Sequence, residues 1–254
     1  MLQANFSALA RPAGRDAAPA AWHYDVRRSG AGESYALSCR HGPALPLEGL
    51  DDLLHALEHD LVVSLQHRRP EWLFLHAAVL ERGGRGYLLA GDSGHGKSTT
   101  AWGLLHGGLA YLSDELAPID PAGLRVHAYP HALCMKREPP PAFPLPRDGV
   151  QRLGRTLHVP VDRLPGGPGP ATCTVAAIVF VRHDRARAEP ALRRIGPAEA
   201  GARLYTATLN ALAHPAAGLD VVLGVASRVR CYQLETGELA RSCALFLDEV
   251  VGAG

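Results

Sequence analysis

The chain has 254 residues, 47% hydrophobic and 20% charged, with a formal net charge of +1. That length and apolar content suit one domain with a sizeable core and at most a small appendage. A charge so near zero provides no global field for nucleic acid or an anionic membrane, and no apolar run approaches the ~18 residues needed to span a bilayer.

Residues 1–48 are rich in Ala, Gly and Pro, with short strand candidates at Trp22–Val26 and Ser34–Leu37. The start, Met1-Leu2-Gln3-Ala4-Asn5-Phe6, lacks the basic cluster and long apolar stretch of a signal peptide. Leu53, Leu54, Leu57, Leu61, Val62 and Leu65 recur at helical spacing, which predicts an amphipathic helix over Leu50–Arg68, stopped before Pro70. His55 and His59 stand four apart on it and read as its polar face rather than as zinc ligands. Strands follow over Leu73–Glu81 and Gly86–Ala90, with Arg82-Gly83-Gly84-Arg85 as a hairpin turn. A helix runs from Thr99 through Leu105 until His106-Gly107-Gly108 ends it, and Leu109–Ser113 is the next strand. Leu116–Asp120 and Leu124–Ala128 frame Pro121-Ala122-Gly123 as a second hairpin.

Residues 138–170 carry many of the 20 prolines and read as a long surface loop: a lid, a substrate platform or plain irregular structure. Val175–Val181 is a buried strand, Pro197–Ala213 a helix, Arg230–Leu234 a strand and Glu238–Val251 a terminal helix; no internal repeat is evident. The organisation expected is a strand-and-helix segment over 1–70 and a core over 71–254, packed as one unit. Five scattered cysteines, Cys39, Cys134, Cys173, Cys231 and Cys243, show neither metal-ligand spacing nor a disulfide framework and read as reduced thiols of a cytoplasmic protein.

The chemistry concentrates at Gly91-Asp92-Ser93-Gly94-His95-Gly96-Lys97-Ser98, followed by Thr99. Glycine, four residues, glycine, lysine and serine form a phosphate-binding loop pattern, in which backbone amides cradle phosphate oxygens and side chains at Gly94 or Gly96 would block the approach. Lys97 then reaches the β- and γ-phosphates of ATP, and the Ser98 hydroxyl holds Mg²⁺. An apolar strand before the loop and a helix after it supply the context that the pattern needs, because the helix start adds its dipole. The next strand ends in Asp114-Glu115, where carboxylates bind Mg²⁺ or accept a proton from an attacking hydroxyl. Lys136 is a candidate phosphate or substrate contact, against a default of a solvated lysine. Arg182-His183-Asp184-Arg185-Ala186-Arg187 reads as a solvated basic turn.

Asp114 follows Gly91 by 23 residues, and His76, within Trp72-Leu73-Phe74-Leu75-His76-Ala77-Ala78-Val79-Leu80, precedes it by 15. This block, His76 to Glu115, resembles the catalytic domain of the HPr kinase/phosphorylase family. The resemblance implies an α/β fold with a P-loop core of the HPr kinase C-terminal-domain type, a mixed sheet and β-hairpins. It implies an ATP- and Mg²⁺-dependent kinase acting on a serine hydroxyl, with His76, Lys97, Asp114 and Glu115 catalytic and Ser98, Asp114 and Glu115 near the metal. The family pair is Asp-Asp, the second being the base; here Glu115 is longer, so either carboxylate of the pair is a candidate base. Thr99 stands where the family has an acidic residue, and no copy of the segment tied to the reverse reaction is found. The chain looks closer to compact relatives that modify ribosomally made peptides, such as lasso-peptide precursors, and the family leaves a homo-oligomer open. The expected partner is a small protein or precursor peptide, not nucleic acid or membrane. Two rivals stand beside this: a small-molecule kinase of the shikimate or gluconate type, and a non-catalytic nucleotide- or peptide-binding module.

Overall fold

The computed structural model describes residues 2–9, 22–29, 34–39, 42–184 and 186–252; Met1 and Arg185 of the basic turn lie outside them. The chain divides into two compact units, one drawn from the stretch up to Arg68 and the other from Gln3–Leu9 together with Arg69 onward.

The chain opens with α1 (Leu2–Phe6). The smaller unit is a three-stranded antiparallel sheet of β1 (Tyr24–Ser29), β2 (Ser34–Cys39) and β3 (Leu45–Leu47), in the order β1-β2-β3. Its helix α2 spans Leu50–Arg68, the bounds that the leucine spacing predicts, and buries Leu53, Leu54 and Leu57 while His55 and His59 stay exposed. Tyr24 donates to Asp60 Oδ2 at 2.5 Å, joining sheet to helix within the unit.

The larger unit is α/β with a mixed nine-stranded sheet. Its strands begin with β4 (Leu73–Leu75), β5 (Ala77–Arg82) and β6 (Arg85–Ala90). The single strand expected over Leu73–Glu81 is therefore two. The chain changes partners at His76: β4 pairs with β8 (Ala117–Asp120), β5 with β6, and the His76 amide leaves the sheet to donate to Ala207 O at 2.8 Å. Gly83 and Gly84, at φ +62° and +80°, turn the β5–β6 hairpin in a conformation that L side chains rarely adopt.

After β6 come α3 (Lys97–His106), β7 (Ala110–Ser113), β8 and β9 (Arg125–His127), the last two forming the second expected hairpin. The proline-rich stretch is more ordered than a plain loop. β10 (Leu133–Met135) precedes it, and within it β11 (Gln151–Leu153) and β12 (Thr156–Val159) complete a separate sheet of order β10-β12-β11. Neither strand contains a proline, so the prolines delimit the hairpin without removing a ladder donor.

β13 (Thr172–His183) is the central strand, parallel to β6 on one side and to β15 (Arg230–Thr236) on the other; β14 (Ala191–Ile195) edges β15. Helix α4 (Pro197–Ala207) stops short of the Ala213 expected, and α5 (Leu219–Arg228) and β14 were not foreseen. The terminal helix is α6 (Leu239–Phe246) followed by a π-helical turn over Leu247–Val251, and it is capped by Glu238, whose carboxylate accepts from the Ala240 and Arg241 amides.

Alternation along β6 divides the core. Tyr87 and Leu89 point to the cluster holding Trp102, Leu105 and Phe246, whereas Leu88 and Ala90 point to the one holding Leu204, Val222 and Val225. Helices thus cover both faces of the sheet, which explains why the strand reads as a continuous apolar run. All five cysteines are free thiols. Among the described residues no helix is long and apolar enough to cross a membrane.

Candidate functional site

Strand direction assembles the site. β6 and β7 both flank β5 antiparallel, so their carboxyl ends meet its amino end, with Ala77 opposite Ala90 and Val79 opposite Ser113. The residue before β5 is His76, the loop after β6 begins at Gly91, and the residues after β7 are Asp114 and Glu115. Three separate segments therefore converge on one sheet edge, where α/β folds place their ligands.

The Gly91–Gly96 loop passes from β6 into α3. Gly91 has φ +142°, and a Cβ there would stand 2.6 Å from Val181 O in the neighbouring strand. Gly94 and Gly96 have φ +83° and +90°, but a Cβ on Gly94 would meet nothing within 4 Å and one on Gly96 only His183 Cβ at 3.4 Å. At these two positions the protein itself demands glycine for backbone conformation, not for space. Helix α3 starts without a side-chain cap, so its first amides are left for whatever lies over the loop.

Lys97 is buried at 7% exposure and folds back over the loop, donating to Gly91 O at 2.8 Å and Asp92 O at 3.3 Å. Burial draws its pKa down, while Glu115, Asp114 and Asp92 favour the charged form. Asp92 and Ser93 lie on the exposed side of the turn, with His95 Nδ1 3.6 Å from Asp92 Oδ2. Thr99 follows on α3, half-buried.

Asp114 is 1% exposed. Its Oδ2 accepts the Cys134 amide at 2.9 Å, while its Oδ1 is sealed from solvent and makes no hydrogen bond of ordinary geometry. Burial, then repulsion by Glu115, push its pKa up to about 7, against the pull of the Cys134 amide, the nearby Ser98 hydroxyl and Lys97. The turn carrying the pair is closed by Ser113, whose hydroxyl donates to Leu116 O. Glu115 differs from its neighbour: its side chain is 43% exposed, and Oε2 stands 3.3 Å from His76 Nδ1. Burial lowers the His76 pKa more than Glu115 raises it, with Lys97 and Lys136 adding to the lowering, so the imidazole is neutral near pH 7.

The chain matches no family model and no curated protein. Among solved structures it is similar to the HPr(Ser) kinase/phosphatase from Coxiella burnetii, at 14% identity and a TM-score of 0.37, over 71% of this chain and 94% of that one. At that distance the likeness assigns no residue a role.

The loop, Lys97, Ser98, Asp114, Glu115 and His76 thus come together at this sheet edge. Lys136 joins them, with Nζ 2.7 Å from Ser93 Oγ. Two neighbours carried no signal of their own in the sequence. Cys134 acts through its backbone amide, which any residue could supply, and His183 enters only because β13 runs beside β6, its Nδ1 3.0 Å from Thr236 Oγ1. Chemically, the assembly offers an anion cradle with a buried cation, the hard oxygens of Asp114 and the nearby Ser98, and an accessible carboxylate beside a neutral imidazole. An orphaned buried carboxylate oxygen next to a hydroxyl is a donor set that suits Mg²⁺.

Proposed function

We propose that the chain is an ATP-dependent kinase that transfers the γ-phosphoryl group to a serine hydroxyl of a small protein or ribosomally made peptide. The observation that carries this reading is the unlike environment of two adjacent carboxylates. Asp114 is buried, with one oxygen held and one unpartnered beside Ser98; Glu115 is half exposed and paired with His76.

Gly91–Gly96 and the uncapped start of α3 bind the phosphates, and Lys97 turns its ammonium from the Gly91 and Asp92 carbonyls to the transferring group. Ser98 and Asp114 are the residues that would hold Mg²⁺, and the chemistry that ion supplies when bound is neutralisation of charge on the phosphate oxygens. Glu115 accepts the proton of the acceptor hydroxyl as its oxygen bonds to the γ-phosphorus and the bridging bond to the β-phosphate breaks, releasing ADP. His76 orients Glu115 through the contact at Nδ1. Lys136, on the exposed rim, screens the incoming negative charge. Most of the rate enhancement is then positioning and electrostatics.

The test is incubation with γ-labelled ATP and Mg²⁺ against serine-containing peptides, including precursor peptides encoded beside the gene. Label on a peptide serine, lost when that serine becomes alanine, supports the reading. Label on a metabolite alone favours a small-molecule kinase, and nucleotide binding without transfer favours a binding module; either outcome overturns it.

A further inference from the structure

Behind Asp114 lies a cluster that phosphoryl transfer does not use. Among the described residues, His131, Cys134 and His158 present one ligand atom each, all within 4.8 Å of one another. Three features of the fold bring them there. Cys134 and His158 are direct cross-strand partners in the β10–β12 ladder, with Sγ 3.3 Å from Nδ1. His131 lies three residues before Cys134, its ring 6.4 Å from that of His158 and packed against Phe6 at 5.1 Å. Helix α1 closes the other side: Asn5 Oδ1 is 2.7 Å from His158 Nδ1, and the Ala132 amide donates to Asn5 O at 2.9 Å.

The donor chemistry is specific. One sulfur and two imidazoles suit a borderline-soft ion such as Zn²⁺ and are wrong for Mg²⁺, which separates this cluster from the oxygens of Asp114 and Ser98. Zinc–sulfur and zinc–nitrogen bonds of ordinary length in a tetrahedron hold donor atoms about 3.4–3.6 Å apart, close to the spacing found between Cys134 and His158. Both histidines are buried, at 2% and 8% exposure. Leu133, Met135, Leu157 and Val159 alternate with Cys134 and His158 along β10 and β12, so the opposite face of that sheet packs into the core and fixes the two strands that carry the ligands.

We propose that His131, Cys134 and His158 form a binding site for a single divalent ion of the zinc class, with its fourth corner facing the Asn5 amide oxygen. Binding displaces the Cys134 thiol proton to solvent, while the two imidazoles bind neutral, His158 as the tautomer with its proton on Nε2 so that the Nδ1 lone pair turns from the Asn5 oxygen to the ion. The ion ties α1, β10 and β12 together. Because the Cys134 amide is the donor that holds Asp114 Oδ2, it also fixes the carboxylate placed at the candidate active site. Metal binding here does not depend on the kinase reading and is measured without any substrate.

The probe is Co²⁺, added to the full-length chain after chelator treatment, with Mg²⁺ in excess to fill oxygen sites. The expected result is one equivalent bound with a thiolate-to-cobalt charge-transfer band and the intense visible bands of a tetrahedral centre, both bleached by Zn²⁺. Cys134→Ser abolishes the charge-transfer band while keeping the backbone amide. His158→Gln and His131→Gln each weaken Co²⁺ binding at least about 100-fold, since the loss of a ligand exceeds the 10- to 100-fold seen for outer-shell changes. His76→Asn leaves the spectrum unchanged. Should either glutamine variant fail to fold, the thiolate band in the parent and its loss in Cys134→Ser decide. A cobalt spectrum without a thiolate band, or one that survives in Cys134→Ser, overturns the proposal. So does the absence of binding to the parent chain.

Discussion

His76 Nδ1 stands 3.3 Å from Glu115 Oε2, while Asp114, one residue away, turns into the protein to accept the Cys134 amide. Alternation along the chain sends adjacent carboxylates to opposite sides of the sheet edge, and their solvent exposures divide accordingly. Glu115→Gln is expected to leave Mg²⁺ and ATP binding near the parent values and to cut transfer by about 10²–10⁴-fold, the usual worth of a general base. Asp114→Asn is expected to raise the Mg²⁺ requirement first. Measuring kcat against Mg²⁺ concentration for both variants separates the roles. If Glu115→Gln transfers at the parent rate while Asp114→Asn is dead with metal bound, the assignment is reversed.

Loss of the cation has two consequences. Lys97 is buried and bonds two loop carbonyls, so Lys97→Ala removes both phosphate charge compensation and a tie across the loop. Transfer is expected to fall by several orders of magnitude, as losing comparable charge does in other phosphoryl transferases. The hydrogen bonds lost add about 1–3 kcal/mol of destabilisation, read as a lowered denaturant midpoint with an unchanged slope. Turnover near the parent rate would remove the loop from the mechanism.

The glycines of the loop are separable. In Gly91→Ala the new Cβ meets Val181 O at 2.6 Å, a backbone atom of the central strand that cannot yield cheaply. Destabilisation of about 1–3 kcal/mol is expected, whether or not nucleotide is present. Gly94→Ala meets no protein atom and costs only the positive φ, about 1 kcal/mol, yet it fills space over the loop. Its nucleotide affinity should drop much more than its melting temperature. Equal loss of both in the two variants would contradict a phosphate-binding loop.

The contiguous features were legible from the sequence because each is local. The glycine loop, the apolar strands on either side of it and the leucine spacing of α2 are patterns within a dozen or so residues. Features made by pairing were not. His158 meets Cys134 only through the β10–β12 ladder, and a chain read for helical or short ligand spacing does not bring them together. The edge strand β14 is not legible because Ala191–Ile195 buries only Ile195 and lacks alternation. Helix α5 was missed because Val221, Val222, Val225 and Gly224 are poor helix formers, held helical by the buried face of Val222, Val225 and Ala226. The break at His76 is likewise tertiary, set by a change of partner strand and the carbonyl of Ala207.

Asp114 also makes stability depend on pH in an unusual direction. Its folded pKa is raised to about 7 from 3.8, so between those values the folded protein binds more protons than the unfolded chain. The carboxyl group's contribution is therefore fully present below about pH 4 and is lost as pH rises through 7, opposite in sign to that of a salt-bridged carboxylate. His76 works the other way: its lowered pKa costs stability as pH falls below 6.5. The variant comparison isolates the carboxylate, because Asp114→Asn leaves His76 in place while removing the buried charge and keeping an oxygen for the Cys134 amide. In metal-free buffer, Asp114→Asn is expected to gain stability over the parent from pH 5 to pH 8, by a margin that grows with pH, in parallel denaturant titrations. Saturating Mg²⁺ with ATP should narrow that margin by stabilising the charged parent more than the variant. A margin that is flat with pH would mean that Asp114 is not held near neutrality, and that its unpartnered oxygen is not waiting for a cation.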